Sequence, residues 1–258
     1  MYESISVRRF DYGRAIVLNR PESGNKIDRV LLHELNLELD EIERDADSRL
    51  IILQGRDGVF CTGRDFAEPT EAHSREGTMF ARYMETIRRL AMIPRAVISS
   101  VDGQVVAGGV GFVVASDLVV ATPRSQFSLS ETLWGLLPAC VTPYLIRRVG
   151  FQNAYRMTLT TMPVQARRAF EMNLVDEVSD KPDEMIRQWA LRLTRLKSST
   201  IGNTKRFFRD MWMITEETER MAVAEISRLS ELPEVKKDIR DFVERRLFPW
   251  DVKDPEGT

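Results

Sequence analysis

Three short segments of the sequence carry residue types that could polarise a carbonyl group and move a proton. Residues 60–65 (FCTGRD) and 107–109 (AGG) contain glycines, which let a backbone N–H approach a ligand closely. Gly108 is placed to open a helix, where unpaired amides and the positive end of the helix dipole favour a developing anion. A second amide from the Gly63-Arg64 turn would complete an oxyanion hole. The third segment is residues 130–131 (SE), and the carboxylate of Glu131 could then act as an acid or a base.

Each of these residues also has a purely structural interpretation. Glu131 could be an ordinary surface or capping carboxylate, and Gly108 and Gly109 could serve only the close packing of a helix on a sheet. Asp65 is favoured as the cap of a helix that follows it, instead of a group that joins the chemistry. The alternatives differ in whether the fold brings the three segments together.

The pattern of strands and helices predicts that the segments do meet. In chain order it gives a β-hairpin at 4–10 and 14–19, a helix capped by Asp28, a strand at 49–54, a helix at 79–92, a strand at 96–101, a helix ending at Ala115 and a strand at 117–121. This alternation predicts an α/β fold with a mostly parallel sheet, in which ligands bind beyond the carboxyl ends of the strands. The segments at 55–70 and 103–109 are predicted to be loops at such ends.

Helical periodicity dominates from about Cys140 onward. A helix–turn–helix is predicted through residues 148–151, and long charged helices are predicted near 183–196 and 215–229. We therefore divide the chain into an α/β core, residues 1–197, and a helical C-terminal region, residues 198–258.

The composition narrows the class of protein. The chain has 258 residues with 43% hydrophobic side chains, enough for one large α/β domain. A formal net charge of −2 gives no electrostatic reason to expect a nucleic-acid or membrane partner. The sequence shows no signal-peptide pattern and no apolar run of membrane-spanning length, so a cytoplasmic protein is expected. Cys61 and Cys140, with two histidines, form no typical zinc or disulfide pattern, and no metal site is expected.

Four segments, taken in order, resemble the signature segments of the crotonase (enoyl-CoA hydratase/isomerase) family. They are residues 18–21 (LNRP), 60–65, 103–109 and 130–135. The resemblance implies a superhelix of stacked β-β-α turns with a helical C-terminal region that forms trimers or dimers of trimers. It implies that the oxyanion amides belong to Arg64 and Gly108 and that Glu131 is the catalytic carboxylate. It also implies a substrate carried as a thioester on coenzyme A or on the phosphopantetheine of an acyl carrier protein (ACP), with no cofactor.

One departure from the family pattern bears on the mechanism. Hydratases of the family usually carry a second glutamate where this chain has Gly111, so a water-activating pair of carboxylates is missing. Residues 128–131 (SLSE), 136–140 (LLPAC), 145–150 (LIRRVG) and 248–250 (FPW) resemble the branch that dehydrates 3-hydroxy-3-methylglutaryl-ACP during polyketide β-branching. That resemblance implies a thioester enolate held in the oxyanion hole while Glu131 removes the C2 proton and protonates the departing C3 hydroxyl. The product would be 3-methylglutaconyl-ACP.

Four further residues are candidates for lining the substrate pocket, namely Asp65, Arg82, Tyr83 and Cys140. A distal carboxylate on the substrate would need a cation, which Arg64 or Arg82 could supply. Tyr83 could line the pocket, although an aromatic residue at this spacing more often belongs to the core. Cys140 is more often a small buried hydrophobe than a nucleophile.

Other functions stay open from the sequence. An enoyl-CoA isomerase or hydratase of fatty acyl-CoA metabolism would use the same oxyanion hole and Glu131, and Gly111 fits an isomerase equally well. A decarboxylase is less favoured, because Glu131 would have no clear task in it. The chain could also be a catalytically silent scaffold or an RNA-binding relative, and the lack of a concentrated basic stripe argues against the last of these.

Overall fold

A computed structural model of the chain describes residues 2–68, 78–212 and 214–251. Within these ranges the strands are β1 (Ile5–Phe10), β2 (Gly13–Leu18), β3 (Leu50–Gln54), β4 (Val59–Cys61), β5 (Ala96–Val101), β6 (Gln104–Val106), β7 (Leu118–Ala121), β8 (Gln126–Ser128), β9 (Val164–Gln165) and β10 (Glu177–Val178). The α-helices are α1 (Arg29–Arg44), α2 (Met79–Met92), α3 (Gly108–Ala115), α4 (Thr142–Val149), α5 (Phe151–Thr160), α6 (Ala166–Glu171), α7 (Pro182–Leu193), α8 (Ser198–Trp212), α9 (Glu216–Ser230) and α10 (Pro233–Arg245). Short 3₁₀ helices span Pro21–Ser23, Glu131–Trp134 and Pro249–Asp251. In the part of the chain that these ranges cover, no helix has the length and hydropathy needed to cross a membrane.

The described strands form two sheets, and from β3 to β8 successive strands belong alternately to one sheet and the other. The larger sheet has the order β1-β2-β3-β5-β7-β10, and the smaller has the order β4-β6-β8-β9. The hairpin β1–β2 and the pair β8–β9 are antiparallel, and all other pairs are parallel. Strands β3, β5 and β7 lie in the larger sheet, and each is followed by a strand of the smaller one. The repeating unit is strand, strand, helix, so the predicted α/β class and stacked β-β-α arrangement are confirmed.

The prediction that residues 55–70 and 103–109 are loops was wrong in part. Val59–Cys61 and Gln104–Val106 are the strands β4 and β6, paired with each other in parallel, and β6 pairs in turn with β8. The structure describes the first of the two segments only as far as Glu68. A strand of three residues is too short to show the alternation of side chains on which a strand prediction depends.

The C-terminal helices pack on the core of their own chain. Ile226 of α9 and Val235 of α10 belong to the same hydrophobic cluster as the α/β residues. The Tyr144 hydroxyl donates a hydrogen bond to Glu219 Oε1 (2.8 Å), which joins α4 to α9. The division at residues 197 and 198 therefore does not separate two hydrophobic cores. The trimerisation role of residues 198–258 stays a prediction.

Three backbone hydrogen bonds hold the segment that contains Arg64 against the segment that precedes α1. They run from Thr62 N to Gly24 O (2.9 Å), from Ile27 N to Gly63 O (2.8 Å) and from Asp65 N to Ile27 O (3.0 Å). The turn after β4 is thus positioned by main-chain groups, whose geometry does not depend on side-chain rotamers.

Asn25 anchors the same pair of segments from inside the protein. It is 1% exposed and has a φ of 48°, a left-handed conformation that asparagine tolerates better than most residues. Its Nδ2 donates to the carbonyls of Val59 (3.0 Å) and Phe60 (3.1 Å), and its Oδ1 accepts from Arg20 N (2.7 Å). A polar side chain is buried here because its hydrogen bonds join two separate turns of the chain.

We expect Asn25→Ala to lower the free energy of unfolding by about 1–3 kcal/mol, because buried backbone groups lose a partner. Urea denaturation followed by circular dichroism measures this change. The control is Asn203→Ala, at an exposed position of α8, for which a much smaller effect is expected. Equal effects of the two substitutions would show that Asn25 does not anchor the turn.

Candidate active site

A cavity of about 300 Å³ lies beyond the carboxyl ends of β4, β6 and β8. These strands are parallel neighbours in the smaller sheet, and each is followed by one of the three segments identified from the sequence. The structure therefore brings Arg64, Gly108 and Glu131 to the lining of one cavity. Most of the remaining lining is apolar and includes Phe80 and Trp134.

The turns that carry Arg64 and Gly108 are in direct contact. Gly63 has a φ of 86°, and a Cβ added there would lie 2.8 Å from Ala107 Cβ and 3.4 Å from Gly108 N. Ala107 itself has a φ of 51°, which is unfavourable for a residue with a side chain. It is held by hydrogen bonds from its amide to Ser128 O and from Val110 N to its carbonyl, both 2.9 Å. Gly108 follows as the first residue of α3, where an amide has no acceptor within the helix.

Glu131 is a carboxylate whose proton affinity is tuned by burial. It begins the 3₁₀ helix Glu131–Trp134, and its Oε2 is buried without a hydrogen-bond partner among the described residues. Burial raises the pKa of Glu131 to about 7, against the opposing effect of the Glu131 and Ser130 amides. A carboxyl group with a pKa near neutrality can both accept and return a proton.

The Tyr83 hydroxyl occupies the space beside Gly111. A Cβ added at Gly111 would lie 1.8 Å from Tyr83 Oη, so any side chain there would collide with the tyrosine. The hydroxyl donates a hydrogen bond to Gly108 O (2.5 Å). Burial raises the pKa of Tyr83 well above its ordinary value, as do the nearby Cys140, Cys61 and Glu131, so it stays a donor. Tyr83 belongs to the core, at 7% exposed, and also lines the cavity, so both interpretations of this residue hold.

Cys140 lines the cavity as a protonated thiol. Its Sγ lies 4.0 Å from Phe80 O. Burial raises the pKa of Cys140 to about 12, and the charge of Glu131 acts in the same direction. Burial also raises the pKa of Cys61 to about 12. Neither thiol is activated as a nucleophile, because the thiolate is the reactive form.

Arg82 and Asp65 lie apart from this lining. Arg82 lines a separate cleft with Leu32 and His33. Successive side chains of a helix point about 100° apart, so Arg82 faces away from the cavity that its neighbour Tyr83 lines. The structure thus does not support Arg82 as a pocket residue. Asp65 Oδ1 lies 3.2 Å from Lys26 Nζ and accepts a hydrogen bond from Ala67 N (3.1 Å). Residues 66–68 form a turn and a bend instead of the first turn of a helix, so the expectation that Asp65 caps a helix was wrong within the described residues.

Several lining residues were missed by the sequence analysis. Lys26 lies just before α1, and Ile226 and Phe242 come from α9 and α10. The Phe242 ring packs edge-on against Trp134, with centroids 4.9 Å apart. Phe248 of the motif FPW packs on Phe242, with centroids 5.2 Å apart, so this motif is the signal that could have located this wall. No group of three or more His, Cys, Asp or Glu within the described ranges could hold a metal ion.

Comparisons with known proteins agree with this architecture. A family model for enoyl-CoA hydratase/isomerase matches residues 14–253. The bacillaene synthase dehydratase PksH of Bacillus subtilis is 36% identical over 254 residues, which cover 97% of each chain. The crystal structure of PksH superposes with a TM-score of 0.87 at 34% identity, covering 96% of this chain and 100% of that chain. A 1,2-epoxyphenylacetyl-CoA isomerase of Escherichia coli is 31% identical over 186 residues, 70% of each chain.

The raised pKa of Glu131 predicts a pH-dependent stability. The ordinary value is 4.5 and the folded value is about 7, so ionisation in the folded protein becomes progressively unfavourable as the pH rises from about 4.5 to about 7. We expect Glu131→Gln to remove this cost. Its free energy of unfolding, relative to wild type, should be larger at pH 8 than at pH 5 by about 2–3 kcal/mol. Urea denaturation at both pH values measures it, with Glu22→Gln at an exposed site as the control; a pH-independent difference would refute the assignment.

The contact between Gly111 and Tyr83 predicts coupled effects of substitution. Gly111→Ala should destabilise the protein by about 1–3 kcal/mol, because the new methyl group overlaps the Tyr83 hydroxyl. The loss should be smaller in a Tyr83→Phe background, where the next atom, Cζ, lies 2.9 Å away. A double-mutant cycle of thermal or urea denaturation tests this coupling. Strictly additive losses would mean that the hydroxyl does not fill this space.

Proposed function

The chain belongs to the enoyl-CoA hydratase/isomerase (crotonase) family, and from that premise we propose that it dehydrates 3-hydroxy-3-methylglutaryl-ACP to 3-methylglutaconyl-ACP in polyketide β-branching. It is an enzyme of the hydro-lyase type. The observation that carries the proposal is that Glu131, with a pKa of about 7, is the one carboxylate among the described lining residues of the cavity, and that the Tyr83 hydroxyl occupies the space beside Gly111. The similarity over 97% of the chain to PksH, a relative named a dehydratase, supports a dehydration.

The first half of the reaction is the formation of an enolate. The thioester carbonyl oxygen accepts hydrogen bonds from the amides of Arg64 and Gly108, whose turns lie in contact. Glu131, ionised, removes a proton from C2, and the negative charge moves to the carbonyl oxygen. Donors that are already in place stabilise this charge, and removing one donor from such a site typically costs about 3–4 kcal/mol.

The second half is the departure of water. The proton now on Glu131 passes to the C3 hydroxyl, the C3–O bond breaks, and the enolate electrons form the C2–C3 double bond. A single carboxylate that takes and returns one proton on the same face of the substrate is sufficient for this syn elimination. A hydratase that uses two carboxylates would need the space beside Gly111, which Tyr83 occupies.

The carrier and the assembly belong to the same proposal. The apolar cavity suits an acyl chain, and a thioester of ACP or of coenzyme A would present that chain without any cofactor. A homotrimer or a dimer of trimers is proposed on the resemblance to the crotonase family alone.

A second candidate is an enoyl-CoA isomerase. The relative from Escherichia coli named as an isomerase favours it, as does the lone carboxylate, since moving a double bond also needs one proton removed and one returned. The two candidates differ in the substrate, because an isomerase acts on an enoyl thioester and releases no water.

Mass spectrometry of the acyl thioester distinguishes these functions. We expect wild type to remove one water from 3-hydroxy-3-methylglutaryl-ACP, with a rate that falls as the pH drops below about 7 and Glu131 becomes protonated. Glu131→Gln should lower kcat by about 10²–10⁴-fold, while Glu22→Gln should not change it. Reaction of enoyl-CoA alone would support the isomerase or hydratase, and no reaction with any thioester would support a silent scaffold.

A further inference from the structure

The helix α3 begins with a turn that is rich in glycine. Gly108, Gly109 and Gly111 are among its first four residues, and glycine is unfavourable within a helix because its backbone loses the most freedom on folding. Ala107 precedes the helix and has no side-chain group that could cap it. The turn that carries the Gly108 amide therefore depends on contacts from other elements to hold its conformation.

Close packing explains why glycines occupy the first two positions of α3. A Cβ added at Gly109 would lie 2.4 Å from the carbonyl oxygen of Cys61, and a Cβ added at Gly108 would lie 2.9 Å from Ile27 Cδ1. Both distances are too short for a carbon atom that is not bonded to its neighbour. The first turn of α3 thus lies directly against the end of β4 and the residues that precede α1.

The Tyr83 side chain, from α2, supplies a polar contact to this turn. Its hydroxyl donates a hydrogen bond to the Gly108 carbonyl (2.5 Å) and fills the space in which a side chain of residue 111 would lie. Positions 108 and 111 are three residues apart and lie on the same face of the helix. One hydroxyl group therefore contacts both ends of the first turn of α3.

The Gly108 amide belongs to a backbone segment that is held from two sides. In a planar trans peptide its N–H points away from the Ala107 carbonyl, and that carbonyl accepts a hydrogen bond from Val110 N (2.9 Å). On the other side of the same Cα, the Gly108 carbonyl accepts the hydrogen bond from Tyr83. Because Gly108 has no Cβ, loss of either hydrogen bond would let its two peptide groups rotate.

Tyr83 is itself held in place and keeps its proton. It is 7% exposed, and its ring packs edge-on against Phe112 of α3, with centroids 5.8 Å apart. Its helix begins at a capped end, where Thr78 Oγ1 accepts a hydrogen bond from Ala81 N (3.2 Å). Burial raises the pKa of Tyr83 well above its ordinary value, so the hydroxyl remains a donor throughout the neutral pH range.

The same hydrogen bond argues against a direct role of Tyr83 in proton transfer. A tyrosine hydroxyl has one proton to donate, and here the proton is donated to the Gly108 carbonyl. Glu131 lines the same cavity and has a pKa of about 7, which suits it better to taking and returning a proton. An effect of Tyr83 on the reaction would therefore pass through the backbone that it contacts.

We propose that Tyr83 is a positioning residue, whose hydrogen bond to the Gly108 carbonyl holds the Gly108 amide in the orientation that polarises a thioester carbonyl. This inference rests on the proposed function, because it requires a thioester that binds at the amides of Arg64 and Gly108. It extends that function by giving a side chain of α2 a part in the geometry of the oxyanion hole.

Infrared spectroscopy of a bound thioester tests this orientation. The ligand is 3-methylbutyryl-CoA labelled with carbon-13 at the thioester carbonyl, which has no hydroxyl group to eliminate. Hydrogen bonds from well-placed amides polarise the carbonyl and lower its stretching frequency relative to that of the free ligand. We expect this shift in wild type and a shift reduced by about half or more in Tyr83→Phe, because one of the two amides is no longer held in place.

A second variant and a matched control accompany Tyr83→Phe. Gly111→Ala keeps the tyrosine but displaces its hydroxyl, so it should also reduce the shift. The control is Tyr144→Phe, which removes another buried hydroxyl that donates to a protein acceptor, Glu219 Oε1 (2.8 Å), outside the described lining of the cavity. This control should keep the wild-type shift. Urea denaturation checks that each variant is folded under the conditions of the measurement.

Dehydration of 3-hydroxy-3-methylglutaryl-ACP is measured separately, so that the inference and the proposed function can fail independently. Where wild type dehydrates it, Tyr83→Phe should lower kcat by about 10- to 100-fold with little change in KM, because the oxyanion hole acts mainly in the transition state. If wild type dehydrates nothing but shows the infrared shift, and Tyr83→Phe reduces it, the proposed function fails and the inference stands. No shift in wild type, a wild-type shift in Tyr83→Phe or Gly111→Ala, or an equal loss in Tyr144→Phe would overturn the inference.

Discussion

The contact between the Gly63 turn and the amide of Gly108 sets the geometry of the whole site. It exists because β4, β6 and β8 are parallel neighbours, so that the chain leaves three strands in the same direction and at the same edge. A side chain at position 63 would push the two turns apart, since its Cβ would lie 2.8 Å from Ala107 Cβ. Two further features hold these turns in place. They are the left-handed backbone of Ala107 and the three hydrogen bonds between residues 24–27 and 62–65. In the proposed oxyanion hole, two amides fixed in this way would cost little reorganisation at the moment of reaction.

Burying charged groups in the cavity lowers the stability of the folded protein but adapts these groups to chemistry. Burial holds the pKa of Glu131 near 7, which disfavours its ionised form in the folded protein and suits it to proton transfer. The Arg64 guanidinium is also desolvated, and the Phe80 ring and the Glu68 carbonyl compensate in part. The Tyr83 hydroxyl adds no charge, because it stays protonated, and it leaves no room for a side chain at position 111. Burial of these few groups thus lowers the stability of the folded protein and at the same time favours reactivity at the site.

The helical C-terminal region completes the cavity. Ile226 and Phe242 line it from α9 and α10, and Phe242 packs on Trp134, which lies in the same 3₁₀ helix as Glu131. The link from Tyr144 to Glu219 joins the helices that flank this wall. The wall of the cavity that holds Glu131 therefore includes residues about a hundred positions away in the chain. A raised pKa is a property of the folded protein for this reason.

The sequence by itself determined the longer helices and strands and named the candidate reactive groups. Periodicity predicted α2 and β5 with the bounds that the structure shows, because long amphipathic helices and buried strands carry a local signal. The ordered motifs pointed to Arg64, Gly108 and Glu131, and the structure brings all three to one cavity. Local sequence could not reveal the three-residue strands β4 and β6, since their hydrogen bonds are made with distant segments. Only the tertiary structure showed that Arg64 and not Arg82 enters the cavity and that Tyr83 fills the space beside Gly111, because those facts depend on which faces of separate elements meet.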